Sequence, residues 1–192
     1  RYDALVCCSP EDASLLGRSD VTVVPNAVTL PDSAYEPSPA APRILFIGPS
    51  RSPQNMPGIA EFLDQVYPIL LREFDDLELW IAGSKGAQEL IGDTPGFGQR
   101  GVRLFGYVDR IEPLLRQCAL TINPIRGNRG SCRKVVESLA AGRVCVSTRE
   151  GARGYLGLDL PSLLVCESVR DLVEPLRRLL RDVALRHDLE RV

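Results

Sequence analysis

The sequence predicts an α/β protein with a doubly wound parallel sheet of about six strands. Short apolar runs alternate with helical patterns, the connections between them are short, and several runs end in glycine. Buried parallel strands are continuously apolar, and regular strand–helix alternation produces a parallel sheet covered on both faces. The predicted strands of this sheet are residues 43–48, 77–83, 102–105, 120–124, 144–146 and 162–166.

The first 42 residues carry local start and stop signals. A strand at 4–8 precedes a helix that Ser9 and Pro10 open, since serine is a preferred N-cap and proline suits the first helical position. A second strand begins near Thr22. Residues 29–42 are rich in proline and alanine without periodicity, which predicts a linker.

The predicted helices fill the gaps between the strands. An amphipathic pattern predicts one long helix over residues 57–74 and another over 169–182. Asp109 is expected to cap a helix that runs to residue 118. A short helix is predicted near residues 87–91.

Composition narrows the class of protein. The 192 residues suffice for one domain of ordinary size, and the net charge of −2 argues against a general nucleic-acid binder. No apolar run is long enough to span a membrane, and no signal peptide is visible. Six cysteines lack metal-ligand or disulfide spacing, which indicates a reducing, cytoplasmic location.

The stretch 125–147 holds the strongest functional signal. It reads as a glycine-rich loop, a helix with Ser131 as its expected N-cap, a left-handed stop at Gly142 and a buried strand. Ser131, Lys134 and Glu137 recur every third residue and are expected to share one helix face. A helix N-terminus attracts anions, so this face predicts a phosphate site with a carboxylate set back from it.

Three arginines, Arg126, Arg129 and Arg133, add positive charge around the same helix end. Arginine suits bidentate phosphate contacts, which supports the phosphate site. Plainer readings stay open at this point: Ser131 and Gly142 cap helices in any protein, and Lys134 and Glu137 could form a solvated pair.

The ordered set of motifs resembles the retaining glycosyltransferases of the GT-B type. The motifs are ILFIG at 44–48, LELWIAG at 77–83, VRLFGYVD at 102–109 and NPIRGNRGSCRKVVESLAAG at 123–142. The resemblance implies one half of a GT-B architecture, namely the C-terminal domain that binds the nucleotide-diphospho-sugar donor. No cofactor and no metal ion are implied.

The resemblance also implies a role for each motif. Backbone N–H groups at Gly130 and Ser131 would cradle the diphosphate, Lys134 would neutralise it, and Glu137 would accept from the ribose hydroxyls. The loop 106–108 would contact the base. The implied donor-binding residues are Gly48, Arg51, Gly106, Tyr107, Val108, Arg126, Gly130, Ser131, Lys134 and Glu137; no residue is assigned to catalysis beyond a supporting role of Glu137.

The sequence departs from the family motif at Arg129. The family pattern has two glutamates separated by seven residues, and the first would fall at Arg129, which cannot accept sugar hydroxyls. A subgroup of the family has a Gly/Ser-rich loop there. Arg129 therefore leaves open a catalytically silent glycosyltransferase-like scaffold. A nicotinamide-dinucleotide domain is a further alternative, which the segment Gly48-Pro49-Ser50-Arg51 disfavours because the motif G-x-G-x-x-G is missing.

The resemblance divides the chain into three parts. Residues 1–20 resemble the end of a preceding domain, residues 21–182 the donor-binding domain, and residues 183–192 a truncated terminal helix. The predicted partners are a nucleotide sugar and an N-terminal acceptor-binding domain of the same protein, through which membrane association could arise. This chain alone is expected to bind donor without transferring its hexose.

Overall fold

The computed structural model describes residues 4–30, 34–49, 52–83, 96–127 and 130–191, together with Gly86 and Thr94. The first elements are β1 (Leu5–Cys7), α1 (Pro10–Leu16) and β2 (Val21–Val23). They are followed by β3 (Arg43–Ile47), α2 (Asn55–Gln65), α3 (Tyr67–Leu71), β4 (Glu78–Ala82), β5 (Val102–Gly106), α4 (Glu112–Gln117), β6 (Leu120–Asn123), α5 (Arg133–Ala140), β7 (Cys145–Thr148), β8 (Leu163–Cys166), α6 (Val173–Arg181) and α7 (Val183–Glu190).

A six-stranded parallel sheet forms the centre of the fold, with strand order β5-β4-β3-β6-β7-β8. Every pairing in this sheet is parallel, so the predicted doubly wound architecture is confirmed. The strand order reverses between β3 and β6. In such sheets ligands bind beyond the carboxyl ends of the strands at this reversal, the switch point.

The core lies on both faces of the sheet. Ile44 and Phe46 of β3 belong to a large apolar cluster, whereas Leu45 between them belongs to a second cluster with Trp80 and Leu115. This alternation follows from the period of two in a strand. Burial of each such side chain contributes about 1.5–3 kcal/mol, which makes the central strands a rigid base for the loops that follow them.

The helix predicted over residues 57–74 is two helices, α2 and α3, with Val66 between them. Pro68 is the second residue of α3. Proline has no N–H to donate to the preceding turn, so it fits the start of a helix and interrupts a longer one. The helix predicted near residues 87–91 lies outside the described residues.

Asp109 does not cap α4. The helix begins at Glu112, Ile111 stands at its N-cap, and no side-chain capping bond is formed there. Pro113 occupies the second helical position, where its missing N–H costs nothing. Asp109 instead borders a cavity described below.

The strands β1 and β2 pair with each other in parallel and form a separate two-stranded sheet. Ser9 caps α1 as predicted, accepting a hydrogen bond from the Asp12 N–H at 3.1 Å. None of the residues of α1 is buried, and Leu15 is 76% exposed. An isolated pair of strands has little stability of its own, so contacts with the rest of the chain hold this unit.

The proline-rich residues 34–42 lack regular structure, yet they are fixed against α7. The buried Arg186 guanidinium donates from Nε to Ser38 Oγ and from Nη2 to the Pro39 carbonyl, both at 2.7 Å. Glu190 Oε2 accepts from Tyr35 Oη at 2.7 Å and from the Ser38 N–H at 3.1 Å.

Among the described residues, no helix combines the length and the apolar character that crossing a bilayer requires.

Candidate functional site

A cleft lies beyond the carboxyl ends of β3, β4 and β5, beside the switch point. It has two adjoining lobes, each of about 320 Å³. The first, here the Tyr107 lobe, is bordered by Tyr107 and Val108; the second, the Lys134 lobe, is bordered by Lys134 and Asn55. Both lobes share the residues Ile47, Gly48, Pro49, Arg133 and Glu137.

Close backbone contacts between strand ends form the floor of the cleft. The Gly48 N–H donates to the Ala82 carbonyl at 2.8 Å, and the Gly83 N–H donates to the Gly106 carbonyl at 2.6 Å. A Cβ at Gly83 would lie only 2.1 Å from the Gly48 carbonyl oxygen. The loops after β3 and β4 therefore touch, and a side chain larger than hydrogen at Gly83 would separate them.

Lys134 lies half-buried at the base of its lobe. Its Nζ donates to Asn55 Oδ1 at 2.7 Å and lies 4.7 Å from the centre of the Phe46 ring. Asn55 Nδ2 donates to the Pro49 carbonyl at 3.0 Å, which orients its Oδ1 toward the ammonium. Burial lowers the pKa of Lys134 to about 8, so the side chain is still mostly protonated at pH 7.

Gly48 makes this arrangement possible. A Cβ there would lie 2.7 Å from Asn55 Nδ2 and 2.9 Å from Lys134 Nζ. The glycine therefore leaves room for the ammonium directly beside the end of β3. The sequence predicted Gly48 and Lys134 as site residues but not Asn55, which stands where the family's usual Gly-Arg…Lys-Gly pair is missing.

Glu137 lies one turn beyond Lys134 and borders both lobes. Its side chain is 22% exposed, and its Oε1 is 2.9 Å from Arg133 Nε. The spacing of three residues brings Lys134 and Glu137 to neighbouring positions on the same helix face, as predicted. The cleft thus presents a half-buried cation and a partly exposed carboxylate that an exposed arginine contacts.

The helix α5 begins one residue later than predicted. Cys132, not Ser131, stands at its N-cap and makes no side-chain capping bond in the described part of the chain. Ser131 Oγ instead donates to the Cys8 carbonyl at 3.2 Å and accepts from Asn26 Nδ2 at 2.7 Å. These partners come from the segments around β1 and β2, and they fix the Ser131 hydroxyl away from the helix. The predicted stop is present, because Gly142 has a φ of +66° directly after the C-cap.

The residues predicted to cradle a diphosphate, Gly130 and Ser131, are covered by the β1–α1–β2 unit. The Ser131 N–H donates to Cys8 Sγ at 3.5 Å, a weak hydrogen bond because sulfur is a poor acceptor. A Cβ at Gly130 would lie 3.0 Å from Cys8 Sγ and 3.5 Å from Asp12 Oδ2. Gly130 and Ser131 therefore border the junction with this unit, and neither borders the two lobes.

The other predicted residues divide into three groups. Gly106 ends β5 and leads directly into Tyr107 and Val108, so the predicted base-contacting loop lies at the cleft. Arg126 is paired with Glu61 at 2.9 Å and borders a separate cavity of about 110 Å³. Arg51 and Arg129 lie outside the described residues, and their predicted roles stay predictions.

In the described part of the chain, no three His, Cys, Asp or Glu side chains are grouped as metal ligands would be. Besides Lys134, Arg133 and Glu137, the charged and amide side chains that line the cleft are those of Gln54, Asn55, Asp109, Arg110 and Glu112. Such a set suits a ligand that combines phosphate oxygens with hydroxyl groups.

Solved structures of three other proteins share this architecture. TarM has a TM-score of 0.78 at 12% identity, over 98% of this chain and 38% of that chain. Sucrose-phosphate synthase from Thermosynechococcus elongatus has a TM-score of 0.73 at 14% identity, over 99% and 52% of the two chains. HepE from Anabaena, solved in complex with UDP and glucose, has a TM-score of 0.74 at 15% identity, over 98% and 56%.

At these identities the likeness shows the fold alone. The chain spans between 38% and 56% of the length of these three proteins. No curated protein sequence matches it significantly. A family model described as "Glycosyl transferases group 1", however, matches residues 41–182, well over half of the chain. The chain therefore belongs to the glycosyl transferases group 1 family and has the Rossmann-like fold of a GT-B C-terminal domain.

Proposed function

We propose that this chain binds a nucleotide-diphospho-sugar, as the donor half of a glycosyltransferase that transfers a hexose with retention. One observation carries the proposal: Lys134 and Glu137, on one helix, border adjoining lobes of a single cleft at the switch point. Each lobe has about 320 Å³, which suits a ligand with separate base and phosphate ends.

The ligand would lie along the two lobes. The base would occupy the Tyr107 lobe, against the loop that follows β5, and the ribose hydroxyls would donate to Glu137. The diphosphate would occupy the Lys134 lobe. Lys134 and Glu137 are three residues apart, so their Cα atoms are separated by about 4.5 Å along the helix axis.

The electrostatics of the Lys134 lobe favour a diphosphate. Lys134 is bonded to the neutral Asn55 amide, so most of its charge is available to an incoming anion. The start of α5 adds partial positive charge from backbone N–H groups that lack intrahelical partners.

An acceptor-binding domain of the same protein would complete the enzyme. The chain spans about half the length of its structural neighbours, and the β1–α1–β2 unit exposes apolar side chains such as Leu15 and Val6. An isolated two-stranded sheet with exposed apolar residues favours a covering partner. The chain alone would then bind donor without transfer, in a cytoplasmic location consistent with its six cysteines, which form no disulfide among the described residues.

A catalytically silent module is the second candidate. The sequence favours it at one position, Arg129, where the family motif has an acid that contacts the donor sugar. Loss of that acid would leave nucleotide binding intact and remove transfer. Nucleotide binding therefore supports both candidates, and only transfer by a longer protein separates them.

Calorimetric titration of the chain with UDP-glucose, GDP-mannose and ADP-glucose tests the proposal. At least one donor should bind, equally in the presence of EDTA, and Glu137→Gln should weaken it by about 10–100-fold, since a charged hydrogen bond contributes about 1.5–3 kcal/mol. Glu61→Gln is the matched control, because Glu61 is 21% exposed and bonded to an arginine at 2.9 Å outside the cleft.

Two results would refute the donor-site assignment. One is a folded chain that binds none of the three donors. The other is a Glu137→Gln variant that binds as tightly as the Glu61→Gln control. Transfer or hydrolysis of the bound donor by the chain alone, detected as released nucleotide, would instead contradict the need for an acceptor-binding domain.

A further inference from the structure

Arg133 occupies a position that the donor-site proposal leaves unexplained. It borders both lobes of the cleft, and its side chain is 71% exposed. Its Nε lies 2.9 Å from Glu137 Oε1, the carboxylate proposed to receive the ribose hydroxyls. In this structure, therefore, an arginine contacts the carboxylate that the ligand would need as an acceptor.

The two cations that border the Lys134 lobe differ in freedom of movement. Lys134 is half-buried and bonded to Asn55, under Phe46 and beside Gly48, so it has little room to shift. Arg133 lies on the open side of the same helix turn. An exposed ion pair between residues i and i+4 stabilises a helix only weakly, so a ligand can break it at small cost.

We infer that Arg133 exchanges partners when the donor binds: it releases Glu137 to the ribose and places its guanidinium on the diphosphate. This inference rests on the proposed function. The guanidinium stays within the cleft because Arg133 precedes Lys134 directly and both border the Lys134 lobe. A planar guanidinium with several donors suits phosphate oxygens better than an ammonium does.

The exchange gives Arg133 two opposite effects on binding. It competes with the ribose for Glu137, and it attracts the diphosphate. A nucleoside experiences only the competition, whereas a nucleoside diphosphate gains the attraction as well. Arg133 is thus a specificity-determining residue that makes the site prefer a ligand carrying phosphate.

The test compares UDP with uridine, GDP with guanosine and ADP with adenosine by calorimetry, on the wild-type chain and on Arg133→Ala. Arg133→Ala should weaken the best diphosphate about tenfold or more and leave its nucleoside unchanged or tighter. The dissociation constant of the nucleoside divided by that of the diphosphate should therefore fall at least tenfold. Arg181→Ala is the matched control: Arg181 is 60% exposed and 2.7 Å from Glu73, away from the cleft.

Each other outcome overturns the inference. An unchanged ratio shows that Arg133 does not contact the diphosphate. Equal weakening of nucleoside and diphosphate shows that Arg133 only positions Glu137. If the wild-type chain binds the diphosphate and Arg133→Ala alters nothing, this inference fails while the proposed function stands. If the folded wild-type chain binds none of the probes, the proposed function and this inference fail together.

Discussion

Replacing Gly58 with alanine tests how tightly α2 is packed on the end of β6. Gly58 lies within α2 and is buried. A Cβ at this position would lie 2.3 Å from the Pro124 carbonyl oxygen and 2.8 Å from Ile125 Cα. Both obstacles are backbone atoms, so no side-chain rotation relieves the contact. Either the helix or the loop after β6 must move.

Two opposing effects determine the size of the change. Alanine favours a helix interior over glycine by about 1 kcal/mol. A carbon and an oxygen approach each other comfortably at about 3.3 Å, so the contact demands a shift of roughly 1 Å. Overpacking of a tight interior costs about 1–3 kcal/mol, and a backbone obstacle places the cost at the upper end. We expect a net loss of about 1–2 kcal/mol.

Urea unfolding and thermal melting followed by circular dichroism measure this loss. For a chain of this size, 1–2 kcal/mol corresponds to a melting temperature lowered by about 2–8 °C. Gly98→Ala is the control: a Cβ there meets nothing within 4 Å, and Gly98 does not have a positive φ. A stability of Gly58→Ala equal to or above that of Gly98→Ala would refute the packing argument.

Three further predictions concern the cleft and the core. Gly83→Ala should weaken any nucleotide bound in the Tyr107 lobe at least tenfold, because its Cβ would lie 2.1 Å from the Gly48 carbonyl oxygen; an unaltered calorimetric affinity contradicts this. Burial lowers the pKa of Lys134 from 10.5 to about 8, so between those values the unfolded chain binds a proton that the folded chain lacks. The free energy of unfolding of the wild type, relative to that of Lys134→Met, should therefore rise from pH 8 to pH 10. If urea unfolding gives the same difference in free energy between the two proteins at both pH values, the prediction is wrong. Burial raises the pKa of Cys118 and of Cys145 to about 12, so both thiols should resist iodoacetamide at pH 8 in the folded protein. Rapid alkylation of either thiol, detected by mass spectrometry, would be inconsistent with the packing of the core.

The strands were predictable because their signals are local. Residues 44–47 are continuously apolar, as expected for a strand that is buried on both faces, and short connections leave few ways to order parallel strands. The break between α2 and α3 also had a local signal in Pro68. An amphipathic pattern that continues on both sides of the proline concealed it, because α2 and α3 pack against the same cluster.

The details of the site depend on contacts between distant residues. The sequence marks Ser131 as an ordinary N-cap. In the structure its hydroxyl instead accepts a hydrogen bond from the side-chain amide of Asn26, which lies 105 residues earlier. The low pKa of Lys134 results from its place beneath the end of β3, beside Asn55. Neither neighbour follows from spacing along the helix. The shared helix face of Lys134 and Glu137 was predictable. The partial burial of Lys134 and the ion pair of Glu137 with Arg133 were not.

The bonds of Arg186 and Glu190 to residues 34–42 define how the domain can be shortened. The family match covers residues 41–182, and a protein trimmed to that range would lose both side chains together with their partners Tyr35 and Ser38. The carbonyl of Leu179, which accepts from Arg186 Nη1 at 2.6 Å, would remain behind without its donor. Keeping these hydrogen bonds therefore requires at least the residues from Tyr35 to Glu190. Libraries of hybrid enzymes that exchange donor domains within this family should place their crossover points outside those two residues.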